Sequence, residues 1–236
     1  MLPTDFSNVI DNDSVIQDYL AYLDAKEFPC VAAKAALSRQ QLKCLVASHI
    51  SCPNEDKKIL QFLYDFIDVY RNSAQFYHSA AVIFKMNGIM SEAMFDEMLW
   101  QRLQALSDLD AVIHGYDERV NADPSSPKFS YSLKEEALYV VGLHPGNSRQ
   151  ARQFKYATLV FNPHAQFEKL RETSKYNNLK GVVRKRDIAY SGSVNPMLDD
   201  FGNASEVYQY SGRRYDNSWQ CPLKIKHARS AHHTTA

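Results

Sequence analysis

The chain has 236 residues, 45% of them apolar and 23% charged, ordinary proportions for a globular protein that can bury a sizeable core. Lysine plus arginine equals aspartate plus glutamate at 27 each, so no global field draws the chain to nucleic acid or an anionic membrane. No run approaches the roughly 20 consecutive apolar residues of a spanning helix, and the opening MLPTDFSNVIDNDS is acidic and polar, unlike a signal peptide, so the cytoplasm is the expected compartment.

In chain order, SVIQDYLAYLDAKEF sets Val15, Ile16, Tyr19, Leu20 and Leu23 at spacings of three and four behind an acidic, Ser-containing start. That spacing predicts a capped helix. Pro29 interrupts, the Ala-rich VAAKAALSRQQ follows, and QQLKCLVASHI turns strand-like. PNEDKKILQFLYDFIDVYRNS puts Ile59, Phe62, Leu63, Phe66, Ile67 and Tyr70 on one helical face, with acids in the first turn where the helix dipole favours them. SAAVIF, residues 79–84, reads as a buried strand. SEAMFDEMLWQRLQALSDLDAV is a long amphipathic helix opened by Ser91, with Met94, Met98, Leu99, Leu103 and Leu106 as its expected core stripe.

The polar, Pro-rich DERVNADPSSPKF predicts a loop, and EEALYVVGL and YATLVFN predict strands. NPHAQFEKLRETSKYNNLKGVVRKRDIAY begins a helix with Asn162 as N-cap and Pro163 at the first helical position. SGSVNPMLDDFGNASEVYQYSGRRYDNSWQCPL is loop-rich yet aromatic, and so long a stretch with little regular structure points to a function. The sum is an α+β fold, helices packed on a mixed central β-sheet with a loop-rich C-terminal region. One domain over residues 1–236 is expected, with a sub-boundary near 120 the only candidate division. Residues 224–236, ending in ARSAHHTTA with His232 and His233, read as a flexible tail.

Cys30, Cys44, Cys52 and Cys221 show no CxxC spacing and are expected as reduced, packed thiols. Cys221 in WQCPL could serve as a thiolate iron ligand, though packing is the plainer role for a thiol beside Trp219.

Two histidine turns follow apolar runs, His144-Pro145 and Pro163-His164. At a helix start His164 would meet unpaired N–H groups, which disfavour the imidazolium and leave a lone pair for a metal or a haem iron. The plain alternative is a histidine bonding a nearby carbonyl. His144, extended ahead of Pro145, would project from a strand end. Arg149 and Arg152 lie between the two turns, and planar guanidinium forks suit paired carboxylates such as haem propionates, or else they are solvated surface charges. Asp199, Asp200 and Glu206, with Tyr208, Tyr210 and Arg213 nearby, are the carboxylate-and-aromatic chemistry a guanidinium requires, unless they form a solvated loop. There is no GxGxxG, P-loop, HExxH or GxSxG.

FPCVAAKAA (28–36), LWQRLQAL (99–106), DPSSPKFSYSL (123–133), EALYVVGLHPGNSRQARQF (136–154), LVFNPHAQFEKLR (159–171), RKRDIAYSGSVNPMLDDFG (184–202) and SEVYQYSGRRYDNSWQCP (205–222) run in order. Together they resemble the YqcI/YcgG family, which includes haem-dependent guanidine N-hydroxylases of arginine and guanitoxin-pathway type. Two departures are Ala32 where glycine is expected and Leu223 where phenylalanine is commoner. The resemblance implies a haem b protein that activates dioxygen, with an external electron donor, or a peroxide equivalent, and hydroxylates a guanidino nitrogen of a small substrate. It implies His144 and His164 as the histidines of the haem site, and places Ser148, Arg149, Arg152, Asn195 and Glu206 in matching motifs. On that footing His164, or alternatively His144, holds the iron, and Arg149, Arg152 and Arg213 are cofactor anchors. His144, Ser148 and Asn195 face the chemistry, and Glu206, Asp200 and Tyr210 hold the guanidinium. A monomer or homodimer is expected, with neither nucleic-acid nor membrane partners. Other classes stay open: a non-catalytic haem carrier or sensor, a non-haem metallohydrolase using His144 and His164, or a structural domain.

Overall fold

Alternating apolar residues in three of the predicted segments build the centre of the protein. The computed structural model describes residues 11–86, 88, 90–171, 175–192 and 202–227. Its sheet has strands β1 (Leu42–Ala47), β2 (Ser79–Phe84), β3 (Tyr131–Leu133), β4 (Glu136–Leu143) and β5 (Ala157–Pro163), in the order β1-β2-β5-β4-β3. β1 and β2 are parallel, Leu42 opposite Ser79 and Ala47 opposite Phe84. Such a pair needs a crossover, which α3 (Asp56–Arg71) supplies. The remaining pairs are antiparallel. Because β2 pairs with β5, strands from both sides of residue 120 share one sheet.

Strand alternation sorts side chains into two layers. Ala80, Val82, Phe84, Leu138, Val140, Leu159 and Phe161 face the core shared with α3 and α4 (Glu92–Asp110). Ala81, Ile83, Leu143 and Val160 face the other, which takes in Val15, Tyr19 and Leu23 of α1 (Asn12–Asp24). The short α2 (Val31–Ser38) closes that second layer. Ser91 caps α4 as expected, its Oγ accepting from Met94 N–H at 3.2 Å. The α4 stripe is displaced from the predicted one: Met94 is 51% exposed, and Phe95, at 0%, occupies the buried register with Leu99, Leu103 and Leu106. None of the described helices is long and apolar enough to cross a membrane.

The sequence reading passed over β3, whose three residues are too few to show a period. The Leu133–Glu136 hairpin turns through Lys134 (φ 50°) and Glu135 (φ 56°), left-handed positions that favour Asn-Gly. Neighbours hold it there: Lys134 N–H donates to Asp110 at 2.9 Å, and Arg71 Nη2 donates to Lys134 O and Glu135 O at 2.8 and 2.9 Å. Strain at such positions costs about 1–3 kcal/mol each, part of which glycine's backbone entropy takes back. Lys134→Asn with Glu135→Gly should therefore raise stability by about 1 kcal/mol, read as a higher urea midpoint at unchanged m-value.

The first four residues of the expected tail make contacts with the body of the protein. Residues 224–227 are tied down: Lys224 exchanges two hydrogen bonds with Gln104 on α4, and the His227 ring, fully buried, lies 2.8 Å from Asp110. His232 and His233 lie outside the described residues. The segment predicted to begin a helix holds α5 (His164–Arg171) and α6 (Lys175–Ser191), and the loop-rich region contains α7 (Val207–Tyr210) packed on β4.

Candidate functional site

The ladder between β4 and β5 decides how the two histidine turns relate. Leu143 pairs with Thr158 at one end and Leu138 with Pro163 at the other. His144 follows the first pair and His164 the second, and the pairs are five residue steps apart along the strand, about 17 Å. In antiparallel strands two C-terminal ends must point apart. The expectation that both rings share one site is thus corrected: they sit at opposite ends of the sheet.

His164 opens α5 directly from β5, so Pro163 ends the strand instead of starting the helix. Asn162 is not the cap; its side chain donates to Tyr139 O at 3.3 Å and accepts from Ser79 Oγ at 2.9 Å. The helix start is also not the only field on the ring. Nδ1 of His164 lies 3.1 Å from Glu206 Oε1, and Nε2 lies 3.1 Å from Glu168 Oε1 one helical turn along. The two carboxylates differ in kind. Glu206 is buried, its side chain 6% exposed, whereas that of Glu168 is 44% exposed and can leave. Glu206 also accepts from Tyr210 OH at 3.2 Å, and that phenol oxygen accepts from Tyr131 N–H at 3.0 Å. Burial first and Glu206 second hold the Tyr210 phenol well above its usual range, so it remains a donor.

The expected guanidinium clamp is corrected by the same contacts. Glu206 and Tyr210 are buried and hydrogen-bonded to each other, and Glu206 Oε1 lies against His164 Nδ1, so neither presents an open face to a substrate. Asp200, its intended third member, and Asp199 and Asn195 lie outside the described residues.

At the other end His144 is fully buried and stacks on Phe95, ring centroids 4.4 Å apart. Its Nε2 is 3.2 Å from Asn147 Nδ2. Gly142 permits this packing, since a Cβ there would come within 2.6 Å of the Phe95 ring and 2.9 Å of Tyr210 O. The expected anchors collect here, not at His164. Arg152 is buried and donates to Tyr210 O at 3.1 Å and Gly142 O at 3.4 Å; Arg149 Nη2 pairs with Asp187 of α6 at 2.6 Å. Arg213 reaches Asp96 at 3.4 Å, and Ser148, exposed, is fixed through its N–H to Glu92 at 2.8 Å. As anchors for a cofactor held by His164 these arginines are at the wrong end of the sheet.

Burial pushes the His144 imidazole down to about 4 from 6.5, Arg152 reinforcing and Glu92 opposing. Below pH 6.5 the unfolded chain takes up a proton that the folded chain refuses until about pH 4. The contribution is therefore whole above pH 6.5 and is lost as pH falls toward 4, a slope approaching about 1.4 kcal/mol per pH unit. Urea unfolding between pH 7 and 5 should show this slope in the native chain and a flatter one in His144→Leu; equal slopes would remove the assignment.

Glu168 was legible and missed, since His164 and Glu168 stand at the i, i+4 spacing of a helix face. Phe95 under His144 was not, being brought from a distant helix. The four cysteines are free thiols, and burial holds Cys221 up to about 12, which disfavours a thiolate there. Among the described residues no group of three or more His, Cys, Asp or Glu side chains is placed to hold a metal ion. The donor set at His164 does suit a haem iron: one imidazole nitrogen faces a buried carboxylate at 3.1 Å, and the other faces a side chain that is 44% exposed.

The model of the YqcI/YcgG family matches residues 18–224. "Uncharacterized protein YqcI" of Bacillus subtilis (strain 168) is 27% identical over 226 residues, covering 89% of this chain and 88% of that one. "Uncharacterized protein YcgG" of the same organism is 24% identical over 186 residues, 76% of this chain and 72% of that one. No solved structure matches.

Proposed function

From the premise that the chain belongs to the YqcI/YcgG family, we propose that it is a haem-dependent oxygenase that N-hydroxylates a guanidino group of a small substrate, arginine or a related guanidine. The observation that carries this reading is the buried Glu206–His164 pair. A buried carboxylate 3.1 Å from Nδ1 favours the tautomer that carries its proton on that nitrogen and leaves Nε2 as the lone-pair donor. His164 would hold the iron through Nε2, Glu168 turning outward to admit it. Glu206 sets the ring orientation and Tyr210 sets Glu206, so the donor is preorganised by groups that never meet substrate. When bound, haem would supply the activation of dioxygen with electrons from an external donor. The four free thiols accord with a cytoplasmic setting, where reduced cysteine persists.

Joint use of His144 and His164 at one hydrolytic metal is disfavoured by their separation along β4. The test is purified protein reconstituted with haem, read for a Soret band, then supplied with dioxygen, a reductant and arginine or a simple alkylguanidine. A band with formation of the N-hydroxyguanidine supports the proposal. A band with no product from any guanidine identifies a carrier or sensor, and protein that stays colourless ends the haem reading.

A further inference from the structure

Outside the histidine ends, the densest unassigned feature is a run of aromatic rings between the surface and Glu206. Trp219, partly exposed, stacks on Tyr215 at 3.8 Å. Its ring lies 5.8 Å from Trp100, and Trp100 lies 6.0 Å from Tyr210, whose OH meets Glu206. Trp100 and Trp219 also line a cleft of about 690 Å³ along α4, with Asp96, Gln104 and Pro222. Core packing alone would explain the rings. It does not explain where their ionisable hydrogens go. Tyr210 OH donates to Glu206, while Trp100 Nε1–H (2.9 Å) and Tyr215 OH both donate to Asp96.

Indole and phenol are the side chains that most readily release an electron, and each does so more easily when its proton has a base within hydrogen-bond reach. We infer that Trp219, Trp100 and Tyr210 form a one-electron relay between the cleft and the Glu206–His164 pair, with Tyr210 as its inner member. One electron leaves Tyr210 for a one-electron oxidant, and the phenolic proton passes to Glu206. The product is a neutral phenoxyl whose oxygen keeps its bond from Tyr131 N–H. An electron then moves inward from Trp100 and Trp219, a one-electron reductant at the cleft refills Trp219, and the proton returns from Glu206 to Tyr210. The relay's purpose rests on the oxidative function proposed above; its operation does not.

The test uses the haem-free full chain, so it separates the two. Photogenerated ruthenium(III) tris-bipyridine, with persulfate as terminal acceptor, oxidises the protein from solution, and freeze-quenched samples are read by electron paramagnetic resonance. The chain has 14 tyrosines, so the readout is the long-lived, solvent-shielded tyrosyl signal rather than total radical. That signal is expected in the native chain and lost in Tyr210→Phe. It is also expected to be strongly reduced in Trp100→Phe and Trp219→Phe, which keep Tyr210; Trp219→Phe alters only a partly exposed ring and so guards against misfolding. A native chain with no long-lived signal overturns the relay, as does a signal unchanged in Tyr210→Phe or in both tryptophan variants. Absence of a Soret band on haem addition would instead count against the proposed function alone.

Discussion

Replacing His164 with alanine should abolish retention of haem, whereas replacing His144 should leave the Soret band in place. The two substitutions remove the same chemical group, so the contrast comes from position. His164 stands at a strand-to-helix junction with one nitrogen on a buried carboxylate and the other beside a side chain that can swing into solvent. His144 is wholly enclosed, with Phe95 against its face and Asn147 at one nitrogen, so its loss should cost stability through the cavity left behind. Glu206→Gln supplies a graded test. The amide keeps the size of the carboxylate and an oxygen beside Nδ1, but the negative charge behind the ring is gone. Haem affinity should fall by about ten- to a hundredfold, the usual effect of losing a carboxylate behind a metal-bound imidazole. Titration of the Soret band against haem measures it. Loss of the band in His144→Ala with retention in His164→Ala would reverse the assignment and move the iron to the other end of the sheet.

The physics that made parts of this fold legible is local, and what stayed hidden is not. SAAVIF gave β2 to the residue because a six-residue, β-branched and aromatic run is strand length and too short for a helix. Ser91 announced α4 because a cap needs only its own turn. The α4 stripe slipped by one residue because Met94 and Phe95 are both apolar, and only packing against Gly142 and His144 selects Phe95. The histidine turns were visible as motifs, yet their separation depends on β4 and β5 being antiparallel neighbours, and nothing within either motif carries that relation. Glu206 shows the same division. Its sequence context marks an acid among aromatics, which suits a substrate clamp. Its pairing with His164 depends on α7 lying across β4. Family resemblance could name the residues worth watching without saying which of them meet.

Arg102→Met should be the most destabilising of the conservative-volume substitutions, by about 3–5 kcal/mol, the range for breaking a buried charged pair from one side. Arg102, in the WQRLQ stretch of α4, has a side chain only 2% exposed. Nε and Nη2 donate to Ile50 O at 2.9 and 2.7 Å, Nη2 also reaches Cys52 O at 2.8 Å, and Nη1 pairs with Asp56. The guanidinium thus satisfies backbone carbonyls in the connection that leads from β1 toward α3. Methionine would fill the space and leave a carboxylate and two carbonyls without their donors. Lysine would keep the charge, but a compact ammonium cannot span these acceptors in a planar fork, so Arg102→Lys should fall between native and Arg102→Met. The decisive comparison is the double variant with Asp56→Leu. Were the ion pair the main term, removing both charges should restore most of the stability. With the carbonyls still unpaired, recovery should stay below about half of the loss, since each orphaned buried polar group costs about 1–3 kcal/mol. Urea unfolding of the four proteins, followed by tryptophan fluorescence, measures all of these terms. A loss under about 1 kcal/mol in Arg102→Met would mean that water replaces the guanidinium without penalty, and the β1–α3 connection would need another source of order.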